Sequence, residues 1–255
     1  MTATQLPIMS EIQAMAPTAA FSALQELFAR AGHADMVSSK PDKVGICFLL
    51  DMAPRILSAD AQNPELQTCL ALCAVVDPEE TTSGLCSNDC ALFKKIEHTP
   101  EELKSIVSIL ARTKKGAEML APSLKRILSL LPTIAERKPI VLEVAENGAH
   151  NMAYYLGSIL GKLLKADCPD VVTAVLNRAP EQLAAFLGPC LSRLGENPSA
   201  AEAIALRVAQ RAPSAFLGSA HRFRNSLSEE AMSCCRAAAQ NALLPTAAAL
   251  QAPAL

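Results

Sequence analysis

The chain has 255 residues, of which 51% are hydrophobic, with 17 prolines, nine cysteines, no tryptophan and a formal net charge of −2. This length and apolar content suffice for a buried core, which excludes intrinsic disorder and a fold that depends on disulfides. Because the charge is balanced and only 4% of residues are aromatic, nucleic-acid binding is not expected.

Prolines followed directly by an acidic residue predict the starts of most helices. Six of the 17 prolines have this pattern, namely Pro41, Pro64, Pro78, Pro100, Pro169 and Pro180. Proline at the first helical position loses no useful N–H, and a carboxylate in the first turn faces the positive end of the helix dipole. The strongest start is Thr99-Pro100-Glu101-Glu102, which predicts a helix over about 100–112 with Thr99 as N-cap.

Apolar residues spaced three and four apart predict further helices, and a sustained alternation of polar and apolar residues, typical of strands, is absent. The clearest apolar stripes lie at 21–28, 124–131, 155–163 and 183–191. Breaks are predicted at 77–88, the longest expected loop, and at Asn147-Gly148. We therefore expect an all-α protein of about ten to thirteen short helices arranged as antiparallel hairpins.

The C-terminal half contains a weak internal similarity. Asn177-Arg178-Ala179-Pro180 recurs as Gln210-Arg211-Ala212-Pro213, and Ala-Phe-Leu-Gly occurs at 185–188 and again at 215–218. Both spacings are close to the period of roughly 30 to 45 residues that is typical of stacked helical hairpins. Two architectures are expected from the pattern, an irregular α-solenoid of the HEAT or armadillo kind and a globular helical bundle.

The expected domain organisation is one helical domain over 17–244, with a flexible N-terminal segment at 1–16 and a flexible C-terminal tail at 245–255. No apolar run reaches the roughly 20 residues that a membrane span needs. The first residues lack the basic region of a secretory signal, and the odd number of cysteines favours a reducing compartment. We expect a cytoplasmic protein, or one exported into a host cytoplasm without a conventional signal peptide, as bacterial effectors are.

Four cysteines that are close in the sequence are candidate ligands for a zinc ion, as an alternative to a structural role. They are Cys69, Cys73, Cys86 and Cys90. Residues four apart share one face of a helix, so each pair of thiols can point the same way. The surrounding residues are apolar, however, which favours buried structural thiols. We expect no metal and no other cofactor.

Short motifs of the common enzyme classes are absent, including the nucleophile elbow and the zinc-protease motif. Gly157-x3-Gly161 has three intervening residues where a phosphate loop has four, so it predicts the close approach of another helix instead. The alternative enzymatic hypothesis is a cysteine nucleophile with a histidine base, for which the candidates are Cys47 with His33 and Asp35, or Cys86 or Cys90 with His98.

Arginines provide the candidate binding residues. Arg178 and Arg211 hold equivalent positions in the internal similarity, and Arg222 and Arg224 lie in the densest basic cluster, His221-Arg222-Phe223-Arg224. Such residues bind carboxylates or phosphates bidentately, and they also cap the C-terminal carbonyls of helices. The sequence favours a non-enzymatic interaction module that binds a protein partner through an exposed helical ridge.

Overall fold

A computed structural model describes residues 6–40, 45–57, 64–87 and 100–244. These residues are 81% helical, with fifteen α-helices and no strand, which confirms the all-α prediction. The number of helices in this part of the chain exceeds the expected ten to thirteen because six of them have only five to eight residues. Helices this short contain too few turns for apolar periodicity to separate them.

The chain divides into two compact units, Met1–Gly148 and Ala149–Leu255, each of which is described by itself. The helices of the first unit are α1 (Met9–Ala14), α2 (Pro17–Arg30), α3 (Ile46–Ile56), α4 (Pro64–Val76), α5 (Pro78–Ser87), α6 (Pro100–Leu110), α7 (Lys114–Leu120), α8 (Leu124–Leu128) and α9 (Arg137–Leu160) as far as Gly148. The domain boundaries at 16/17 and 244/245 stay predictions, and residues 245–255 lie outside the described part.

Helix α4 is the central helix of the first unit, where it packs against α1, α2, α5 and α6. Its residues 69–74 are all inaccessible to solvent, including Leu70, Leu72 and both cysteines of the helix. A helix enclosed by neighbours is apolar on every side instead of amphipathic. The thiols of Cys69 and Cys73 therefore belong to the core.

The loop predicted at 77–88 is wrong over residues 78–87, which form α5, and residue 88 lies outside the described residues. The Asp77 carboxylate accepts hydrogen bonds from the N–H groups of Glu79 and Glu80 at 3.1 and 2.9 Å, and it thereby caps the helix. Thr81 and Leu85 are buried. The Thr, Ser and Gly content of the segment hid this helix, although Pro78-Glu79 correctly predicted its first turn.

A short helix, α1, lies inside the 1–16 segment for which flexibility was expected. Ile12 is 1% exposed, and α1 contacts α4 and α6. Arg112 Nη2 also donates a hydrogen bond to the Gln13 carbonyl at 2.7 Å. A helix this short cannot show helical periodicity, so the sequence did not reveal this attachment.

The break predicted at Asn147-Gly148 is a kink inside α9, because helical hydrogen bonding continues on both sides of Gly148, whose φ is −110° and ψ 16°. A Cβ atom at Gly148 would lie 2.7 Å from the Ala117 carbonyl carbon and oxygen. Glycine is therefore required where this backbone approaches α7.

The second unit contains the rest of α9 followed by six helices, which are α10 (Cys168–Arg178), α11 (Pro180–Ala185), α12 (Leu187–Leu194), α13 (Pro198–Arg211), α14 (Pro213–Ser219) and α15 (Glu229–Leu243). Helix α13 packs against α10, α11, α12, α14 and α15. Among the described helices of either unit, none combines the length and apolar character needed to cross a membrane.

Candidate functional site

The two Arg-Ala-Pro elements of the second unit have the same local backbone. Ala179 has φ −138° and ψ 59°, and Ala212 has φ −136° and ψ 59°. The N–H groups of these alanines donate to the carbonyls of Val175 and Val208, both at 2.8 Å. Each alanine ends one helix, and the proline after it starts the next, so the elements form two equivalent corners.

The structure shows which of the two repeated motifs, Arg-Ala-Pro or Ala-Phe-Leu-Gly, occupies equivalent structural positions. Leu183 and Phe216 hold the same place after the two corners, since both are 0% exposed and their N–H groups donate to the carbonyls of Ala179 and Ala212. Phe186, by contrast, is a half-buried residue at the C-terminus of α11, whereas Phe216 lies inside α14. The spacing of the Arg-Ala-Pro elements thus relates equivalent positions, and the shorter spacing of Ala-Phe-Leu-Gly does not.

Arg211 forms hydrogen bonds within the protein. Its Nη1 donates to Asn177 Oδ1 at 2.8 Å and its Nη2 to the Asn177 carbonyl at 3.2 Å, while Arg207 Nη2 reaches the same Oδ1 at 3.3 Å. We call Asn177, Arg207 and Arg211 the Asn177 corner. Arg211 therefore caps the C-terminal turn of α10, and Arg178 also interacts within the chain.

Arg222 and Arg224 flank a buried aromatic anchor. Phe223 is 2% exposed, and its ring centroid lies 5.4 Å from that of Phe216 at an interplanar angle of 60°. Both arginines are exposed, and within the described chain neither side chain makes a hydrogen bond or an ion pair. The anchor fixes the backbone between the two side chains while their guanidinium groups stay available.

Arg224 lines an open cavity of about 880 Å³, which we call the Arg224 cavity. One wall is a face of α15, and the other is the segment 224–227. The cavity is lined by Arg224, Asn225, Leu227, Glu229, Met232, Ser233, Arg236, Ala237 and Gln240. The residues that line it thus carry two guanidinium groups, two amides, one hydroxyl and the carboxylate of Glu229.

Arg236 is the residue that sequence reasoning missed. Like Arg224, it is exposed, and its side chain has neither an ion pair nor a hydrogen bond to the part of the chain that the structure describes. The positions 229, 233, 236 and 240 are three and four apart, and all carry polar side chains on one face of α15. The sequence showed this polar stripe, but it did not show that the segment 224–227 lies opposite to it.

The second unit is the more basic of the two. It contains nine Lys and Arg residues against seven Asp and Glu, whereas the first unit contains 14 against 18. Seven of those nine are arginine, the side chain whose planar fork matches a carboxylate. The unpaired guanidinium groups of the Arg224 cavity thus lie in a unit with a positive net charge.

Cys47 has an environment that opposes nucleophilic activation. Its Sγ–H donates to the Glu80 carbonyl at 3.4 Å, and among the described residues no hydrogen bond joins it to His33 or Asp35, which are both exposed. Partial burial and the carboxylates of Glu80 and Asp77 raise the pKa of the Cys47 thiol. A catalytic thiol needs the opposite shift.

The structure describes three of the four candidate zinc ligands, namely Cys69, Cys73 and Cys86. Cys69 and Cys73 are buried, and their mutual hydrogen bond together with burial holds the pKa of the Cys73 thiol well above its usual value. Cys86 Sγ–H donates to the Met119 carbonyl at 3.5 Å. Cys90 lies outside the described residues, as does His98, and no group of three metal-binding side chains occurs within them.

Gly157 and Gly161 provide the predicted close approach. A Cβ atom at Gly157 would lie 2.5 Å from Pro189 Cβ, and one at Gly161 would lie 3.3 Å from the Arg193 guanidinium. Helix α9 therefore packs against α12 at a distance that only glycine permits at position 157, whereas a Cβ atom at position 161 requires only a small shift of the flexible Arg193 side chain.

The chain matches no family model, no curated protein and no solved structure. Its function is therefore inferred from its own residues.

Proposed function

We propose that the protein is a non-enzymatic interaction module that binds a protein partner through the basic surface around Arg222 and Arg224. One observation carries the proposal: two exposed arginines without partners among the described residues flank a buried phenylalanine, Phe223. A fixed backbone lowers the entropy cost of presenting these side chains, and arginine is enriched among the residues that dominate binding energy.

A protein partner fits this surface better than a nucleic acid. The net charge of the whole chain is −2, and no aromatic residue lines the adjoining Arg224 cavity to stack on a base. The partner is accordingly a protein that presents carboxylates to the arginines.

The proposed location is a reducing compartment, either the cytoplasm or a host cytoplasm that the protein reaches as an exported effector. Every cysteine in the described ranges is a free thiol, including the buried Cys69, Cys73, Cys168, Cys190 and Cys235. Cell fractionation with an antibody against the chain tests this location directly.

Quantitative affinity capture tests the interaction. The full chain and its Arg222→Ala/Arg224→Ala variant are used as baits in the same lysate, and each captured protein is then purified and titrated against both baits. We expect a partner whose affinity for the variant is at least tenfold lower, because two charge-assisted contacts are lost.

The control is Arg30→Ala/Arg55→Ala, which removes the same charge from exposed side chains of the first unit. Circular dichroism confirms that all three baits are folded. A purified partner that binds the wild type and both variants equally would contradict the proposal, as would the absence of any specific partner.

A further inference from the structure

The Arg224 cavity combines groups that recognise both the side chains and the backbone of an acidic peptide. Guanidinium groups bind carboxylates in a bidentate manner, and the amides of Asn225 and Gln240 both donate and accept hydrogen bonds. A peptide backbone needs both functions, since each of its units carries one N–H and one carbonyl.

We infer that the Arg224 cavity binds an acidic segment of the partner, whose carboxylates contact Arg224 and Arg236. The inference rests on the proposed function and names the partner's chemistry. The volume of about 880 Å³ lies within the roughly 300–1,000 Å³ of ligand pockets. The cavity is open to solvent, and residues 229–240 of α15 form one side of it.

Charge complementarity supports this occupant. Arg224 and Arg236 are unpaired within the described chain, and with Glu229 they give the cavity a net charge of +1. A carboxylate ligand completes the hydrogen bonding of both guanidinium groups without displacing an internal partner. Glu229 limits the anionic charge that the cavity accepts, which favours single carboxylates over phosphate dianions.

Fluorescence anisotropy with a labelled hexaglutamate peptide tests the inference on the full chain. We expect saturable binding by the wild type and a loss of at least tenfold in affinity for Arg224→Ala/Arg236→Ala. The Arg224→Lys/Arg236→Lys variant keeps the charge but loses the planar fork, so its affinity lies between the two. Glu229→Gln removes a repulsive charge and binds the peptide about twofold to fivefold more tightly.

Hexaglutamine peptide, inorganic phosphate and the Arg30→Ala/Arg55→Ala variant are the controls. The inference is overturned if the Arg224→Ala/Arg236→Ala variant binds hexaglutamate as tightly as the wild type does. It is also overturned if hexaglutamine binds equally well, or if phosphate at equal ionic strength displaces the peptide as effectively as unlabelled hexaglutamate.

Failure of this inference and failure of the proposed function give different results. If hexaglutamate does not bind but a purified partner still needs Arg222 and Arg224, the acidic segment is wrong and the interaction module stands. If hexaglutamate binds in the cavity but no partner depends on these arginines, the cavity stands and the interaction module is wrong.

Discussion

The Asn177 corner and the Arg224 cavity both present arginines, but they use them differently. At the corner, Arg207 and Arg211 share the side chain of Asn177, and Arg211 also binds a helix-terminal carbonyl. In the cavity, Arg224 and Arg236 have no partner in the described part of the chain. An arginine on a surface therefore indicates a binding site only after its internal hydrogen bonds are known.

The largest expected effect concerns the buried anchor Phe223, which precedes Arg224 in the chain. Phe223→Ala removes a side chain that is 2% exposed and contacts Phe216, so we expect the free energy of unfolding to fall by about 3–5 kcal/mol. Urea denaturation measures this change. Phe48→Ala is the matched control, because Phe48 is 56% exposed and its loss is expected to cost less than about 1 kcal/mol. Equal costs would show that Phe223 is not an anchor.

Buried thiols of the second unit predict a loss of stability at alkaline pH. Burial, with a smaller contribution from Cys168, raises the pKa of the Cys190 thiol from 9.0 to about 12. A raised pKa favours the protonated folded state, so this contribution is complete below pH 9.0 and is lost as pH rises towards 12. Within that window the slope is about 1.4 kcal/mol per pH unit for one thiol.

Unfolding of the wild type and Cys190→Ala between pH 8 and pH 11 measures the slope. The variant has no thiol at this position, so its stability is expected to decline less steeply above pH 9.0. Parallel pH profiles would show that Cys190 does not titrate in this way.

At the Asn177 corner we expect a smaller effect. Asn177→Ala removes the acceptor of Arg207 and Arg211 and is expected to lower stability by about 1 kcal/mol, because these bonds are exposed to solvent. Asn177→Asp places a carboxylate between two guanidinium groups and is expected to raise stability slightly at low salt. Thermal unfolding of both variants is the measurement, and a destabilised Asn177→Asp would contradict the predicted role of the acceptor.

The cavity arginines have the smallest expected effect on stability. Arg224→Ala/Arg236→Ala breaks no hydrogen bond or ion pair to the described residues, so the free energy of unfolding changes by less than about 0.5 kcal/mol. Urea denaturation beside Arg30→Ala/Arg55→Ala checks this expectation. A loss several times larger than that of the control would mean that the two arginines hold the fold together.

Local sequence patterns predicted the helices, whereas contacts between distant residues determine which arginines are available for binding. Pro64, Pro78, Pro100 and Pro180 each begin a helix because the first-turn chemistry is local, and Pro169 is the second residue of α10. Pro41 lies outside the described residues. The hydrogen bonds of Arg211 to a residue 34 positions earlier have no local pattern, so its internal role was not predictable.

The Arg224 cavity also depends on contacts between residues that are distant in the sequence. The basic cluster at 221–224 drew attention to Arg224 because its charges are adjacent in sequence. Arg236 stands alone among small and apolar neighbours, and only the packing of α15 beside the segment 224–227 brings it to the same space. Helical spacing predicts on which face of a helix a residue lies, but it does not predict which other element packs against that face.

Paired binding measurements on two double variants test the central claim most directly. A purified partner is titrated against Arg178→Ala/Arg211→Ala and against Arg224→Ala/Arg236→Ala, with the wild type as reference and each protein checked for folding. We predict that the first variant binds within about twofold of the wild type and that the second binds at least tenfold more weakly. A larger loss of affinity in the first variant, or equal losses in both, would contradict the claim that Arg224 and Arg236 bind the partner while Arg178 and Arg211 bind within the protein.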